Sequence, residues 1–131
     1  MRYLGVDYGE KRIGVALSDE SGNMAFPKTI LPNNKGAISQ IAKICTDEKV
    51  CEVVIGESLS YKGEPNKIME AAKKFAEELA QIVELKVNFH PEILTTQEAR
   101  RLMGRSEPVD ASAAAIILQS YLDKKQNVGA N

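Results

Sequence analysis

A chain of 131 residues with 44% apolar and 27% charged side chains has the make-up of one folded domain with one sizeable core, neither disordered nor collagen-like. Seventeen basic against eighteen acidic residues give a formal charge of −1, so no global positive field marks a nucleic-acid binder and any polyanion must be held by a local patch. No apolar run approaches ~18 residues and the first residues lack an apolar stretch with a small-residue cleavage site, so no membrane partner is expected and the reading is cytoplasmic.

The segments "RYLGVD" (2–7) and "RIGVALS" (12–18) are β-rich and separated by "YGEK", which reads as a hairpin. "DESGN" (19–23) turns the chain into a third strand, 24–31, whose Pro27 suits a sheet edge because it cannot donate to a ladder. Ile38, Ile41 and Cys45 then follow helical spacing up to about Lys49. "CEVVIG" (51–56) is the near-continuous apolar run of a strand buried on both faces.

A polar loop follows, and Pro65 is placed to open a helix whose stripe is Ile68, Ala72, Phe75, Leu79 and Ile82. "LKVNFH" (85–90) alternates as a half-buried strand, with Lys86, Asn88 and His90 on its polar face. Thr95 with Glu98 fits a capping box for a short helix ended by Gly104. Pro108 opens a last helix that turns Ala113, Ile116, Ile117, Ser120 and Tyr121 inward. A single domain over 1–125 with a frayed tail over 126–131 is expected. Cys45 and Cys51, without a CxxC or a neighbouring histidine, read as reduced thiols.

The first three strands have links too short for anything but an antiparallel meander, while the fourth and fifth are reached through helices and should run parallel to the first. The fold class is therefore α/β, a mixed five-stranded sheet of order 3-2-1-4-5 with strand 2 antiparallel, flanked by helices. In such a sheet ligands collect beyond the carboxyl ends of the parallel strands.

Asp7 ends the first strand, Glu57 follows the fourth, Glu92 follows the fifth, and Asp110 lies in the first turn of the last helix. Neighbouring carboxylates repel unless a shared proton or a cation offsets the repulsion. Oxygen ligands without His or Cys favour a hard ion, Mg²⁺ or Mn²⁺, and two such ions suit in-line displacement at a phosphodiester. Tyr8, Lys11 and Arg12 follow Asp7 and can reach a phosphate; Arg100, Arg101 and Arg105 are expected to form the local basic patch, joined by Lys62 of the polar loop, to which Gly63 is expected to lend mobility as a substrate lid. Each residue also has a plainer use. Asp7 can cap a turn, Asp110 can answer the helix dipole, Glu57 and Glu92 can be loop acids, and the arginines can be a solvated face. His90, the only histidine, reads as structural or solvent-facing rather than as a general base.

The segments "LGVDYGEKRIGVALSD", "VVIG" with the Gly63 loop, "EILTTQEARRLMG" and "VDASAAAIILQSYL" together resemble the YqgF family, a group of Holliday-junction resolvases or pre-16S rRNA nucleases with an RNase H-like fold. The resemblance spans essentially the whole domain and implies that Asp7, Glu92 and Asp110 are the acidic metal-binding set. It also implies nuclease activity on structured nucleic acid, with pre-rRNA favoured over a DNA junction, by a monomer or homodimer. The chain departs from the family at Pro91-Glu92-Ile93, where Asp-Glu-Arg is usual, and at Gly56-Glu57-Ser58, where Gly-Leu-Pro is usual. Glu57 is the candidate to supply a compensating carboxylate. Two alternatives are a catalytically weak RNA-binding module in ribosome maturation and an actin-like nucleotide-binding domain, the latter disfavoured because 131 residues cannot supply its second domain.

Overall fold

The computed structural model describes residues 1–57, 67–91 and 109–129; the side chains of 57, 67, 68, 91, 109–112 and 126–129 lie outside that description. Strands β1 (Arg2–Tyr8), β2 (Arg12–Ser18) and β3 (Ala25–Pro32) form the expected meander, followed by α1 (Ala37–Asp47), β4 (Val50–Glu57), α2 (Lys67–Val83), β5 (Lys86–Pro91) and α3 (Val109–Gly129). The sheet has the order β3-β2-β1-β4-β5. β1 pairs with β2 antiparallel, and with β4 parallel, as β4 does with β5. Pro27 lies in the edge strand, where the pairing skips from Val15–Thr29 to Ala16–Pro27 and leaves Lys28 as a bulge.

Strand alternation divides the core into two layers. Leu4, Val6, Val53 and Ile55 pack with Ile41, Phe75 and Leu79 under α1 and α2, whereas Ala16 and Val54 pack with Ala114, Leu118 and Leu122 under α3. β4 is thus buried on both faces, as its apolar run implies. Both cysteines are free, and burial pushes the Cys45 thiol up to about 11. No helix among the described residues is long and apolar enough to cross a membrane.

The helix faces depart from expectation in three places. Ile82 is 57% exposed while Val83 packs against the core, because the α2 stripe drifts from Leu79 to the i+4 position in its last turn. On α3 the buried residues include Leu118 and Leu122, whereas Ile116 and Tyr121 are half-buried and Ser120 is exposed. His90 is only 8% exposed, because α3 also covers the face of β5 that alternation marks as polar. The α3 backbone continues through 126–129 of the expected tail, where no helix breaker stands before Gly129. The expected short helix over 95–104, Lys62, Glu92, Arg100, Arg101 and Arg105 lie outside the described residues.

Candidate active site at the carboxyl edge of the sheet

Because Leu4 and Val6 point into the α1/α2 layer, Gly5 and Asp7 fall on the α3 face of β1. Asp7, half-buried, sits opposite the buried Gly14 of β2. The turn that follows is tightly held. A Cβ at Gly9 would lie 2.5 Å from the Arg12 carbonyl oxygen, so only glycine fits. The Asn33 side-chain amide donates to the Gly9 carbonyl at 2.7 Å, and its backbone N–H donates to the Lys11 carbonyl at 2.9 Å. Lys11 and Arg12 are exposed on this turn, and Tyr8 turns to the opposite face, its ring 4.9 Å from that of Phe75.

α3 runs antiparallel to β1 across this face. Tyr121 lies by Tyr3, with ring centroids 6.4 Å apart, while a Cβ on Gly5 would meet Leu118 Cβ at 2.8 Å and the Ala114 carbonyl at 3.0 Å. From Ala114 the helix carries Asp110 one turn, about 6 Å, further along, while the strand carries Asp7 roughly 7 Å beyond Gly5 in the same direction. The backbone therefore brings positions 7 and 110 to one end of one face. Val6 is level with Ile55 on β4, Gly56 with His90 on β5, and Glu57 with Pro91. Position 57 thus continues the register of Val53 and Ile55. Among the described residues no three His, Cys, Asp or Glu side chains are grouped to hold a metal ion; Glu92 and the side chain of Asp110 lie outside them.

His90 is engaged structurally. Its Nε2 lies 3.0 Å from Ser120 Oγ and its ring meets Tyr121 edge-on at 5.8 Å. Burial, followed by the charge of Lys124, lowers its pKa, so the imidazole is neutral near pH 7.

Sequence reasoning missed Glu52, which is 7% exposed on the α3 face of β4. Its carboxylate accepts from the Tyr121 hydroxyl and the Asn88 amide and lies 3.5 Å from Lys125 Nζ. The available signal was a lone acid within a doubly buried strand, which requires partners. Burial and then the Glu52 bond raise the Tyr121 pKa.

A meander followed by two parallel strands reached through helices, with a final helix laid across β1 and an acid at the carboxyl edge, is the arrangement of the RNase H-like folds. Solved structures agree: RuvC of T. thermophilus in complex with a Holliday junction substrate has a TM-score of 0.65 at 16% identity, covering 96% of each chain. The fowlpox virus Holliday junction resolvase has a TM-score of 0.57 at 16% identity, covering 95% of this chain and 99% of its own. The chain belongs to the RuvX (YqgF) family, described as Holliday junction resolvase, whose model matches residues 1–124. It is 37% identical to a provisionally named pre-16S rRNA nuclease of Chloroflexus aggregans, over 95% of this chain and 94% of that protein. A protein of the same name from Carboxydothermus hydrogenoformans is 38% identical over 95% and 98% of the two chains. The sequence resemblance is thereby borne out, and the enzyme class is nuclease, a hydrolase of phosphodiester bonds.

Proposed function

We propose that this chain is a metal-dependent endonuclease that cuts structured nucleic acid, with precursor 16S rRNA as the favoured substrate and a four-way DNA junction as the second. The observation that carries this is the convergence of positions 7 and 110 on the α3 face at the carboxyl edge of the sheet. The relatives' name favours rRNA. Asp7, Glu92 and Asp110 would hold Mg²⁺ or Mn²⁺, for which an all-oxygen donor set fits. When bound, the ion supplies activation of water and stabilisation of the leaving oxygen.

The chain's own residues do the rest. The pinned turn after Asp7 presents Lys11 and Arg12 to phosphates, and Arg100, Arg101, Arg105 and Lys62 extend the basic surface. Glu57 is a further carboxylate at the same edge. If the junction is the substrate, two symmetric cuts call for a homodimer; rRNA cleavage requires only a monomer.

The test is Mn²⁺-dependent cleavage of a precursor rRNA fragment and of a four-way junction, by wild type and Asp7→Asn side by side. Cleavage of the rRNA by wild type, lost in the variant with binding retained, is the expected result. No cleavage by either protein, with RNA binding intact in both, would establish the binding-module reading instead.

A further inference from the structure

Behind Asp7, on the α1/α2 face of β1, a cleft of about 520 Å³ opens between Tyr8, Asn33, Lys35 and the α2 residues Lys74, Phe75 and Glu78. Its floor is tied to the strand that carries Asp7. Tyr8 is fixed by its ring contact with buried Phe75 yet stays half exposed, and Asn33 is bonded to the carbonyl of Gly9 at 2.7 Å. Lys35 and Lys74 are exposed and enter no ion pair among the described residues. Among the described residues the one acid of the wall is Glu78, so two ammonium groups face a single carboxylate there.

Two cations beside an aromatic ring and an amide match a nucleotide unit, its phosphate on the lysines and its base on Tyr8. We infer that this cleft is a subsite for the single-stranded nucleic acid that flanks the scissile phosphate. A paired base cannot stack on Tyr8, whereas a splayed one can, and Tyr8 directly follows Asp7, so a strand crossing the sheet edge enters the cleft with its next nucleotides. The inference rests on the nuclease reading of the Asp7 edge.

The experiment compares wild type with Lys35→Ala/Lys74→Ala by fluorescence anisotropy in EDTA, using a labelled RNA hairpin with a single-stranded overhang and the same hairpin blunt. The double variant should bind the overhang hairpin about five- to tenfold more weakly, with a salt slope shallower by roughly 1.4 for two lost phosphate contacts. The blunt hairpin should bind unchanged. Tyr8→Leu, checked for folding by thermal melting, should repeat the overhang-specific loss. Equal weakening on both hairpins, or none on either, overturns the subsite. Because binding is read without metal, a wild type that cuts nothing but binds overhangs through the lysines refutes the nuclease reading and leaves the cleft standing.

Discussion

Gly5 and Leu118 define how closely the last helix approaches the central strand: a Cβ on Gly5 would sit 2.8 Å from Leu118 Cβ and 3.0 Å from the Ala114 carbonyl oxygen. Neither neighbour can yield without moving α3 as a body. Gly5→Ala should cost about 1–3 kcal/mol as an overpacked core, read as a lower urea midpoint. It should also slow cleavage, because the displaced helix carries Asp110. Leu118→Ala should not rescue it, since the Leu118 Cβ and the Ala114 carbonyl both remain.

Glu52 joins the other half of α3 to the sheet. Glu52→Ala strips the Tyr121 hydroxyl and the Asn88 amide of their shared acceptor and leaves Lys125 without its carboxylate. The expected loss is about 1–3 kcal/mol, from half-buried donors that lose their acceptor. Glu52→Gln keeps an acceptor oxygen and should lose about half as much. Equal midpoints for wild type and Glu52→Ala in urea unfolding would sink this account.

The two predictions rest on features of unequal legibility. The sheet order was readable because link lengths alone decide between hairpin and crossover, and Pro27 pointed to an edge that the sheet confirms. Asp7 is legible as a carboxylate that ends an apolar strand just before the short "YGEK" link. The inner face of α3 was readable only in part: Ala113 and Ile117 are buried as expected, whereas Ile116, Ser120 and Tyr121 are not. The run Ala113 to Leu118 is apolar on every side, so periodicity cannot say that Leu118 packs inward and Ser120 stays exposed. His90 was obscured because its burial comes from a helix distant in sequence that covers β5, of which strand alternation holds no trace; for Glu52 the doubly buried run of β4 was the signal, and only its partners on α3 were hidden.

His90 should give stability an acid-side slope. Its folded pKa lies below the ordinary 6.5, chiefly through burial, so between the two values the unfolded chain binds more protons than the folded one. Stability is then complete above the unfolded value and is lost as pH falls through about 6.5 toward the folded one. Chemical unfolding at pH 7.5 and pH 5.5 should show this decline in wild type and a smaller one in His90→Gln. An equal decline in both proteins assigns the slope to other groups.

The β1–β2 turn should be as intolerant as it is tight. Gly9→Ala drives a Cβ into the Arg12 carbonyl, 2.5 Å away, and the strain is relieved only by shifting the turn that follows Asp7. About 1–3 kcal/mol of stability should go with both a fall in kcat, from a displaced Asp7, and a weaker substrate affinity, from Lys11 and Arg12 on the same turn. Steady-state cleavage with the rRNA fragment separates the two effects.

Asp7 and Asp110 supply the sharpest prediction, since the proposed site requires them to act as a unit. If both carboxylates hold the same ion, removing either one already disables it, and removing the second has little left to abolish. Asp7→Asn and Asp110→Asn should each reduce cleavage by at least about a hundredfold, and the double variant should fall no further than the worse single one. Additive losses would mean separate roles, with Asp110 serving only the dipole of α3. A Mn²⁺ titration of each single variant completes the measurement: a rightward shift in the metal requirement belongs to a ligand, and an unchanged one to a helix cap.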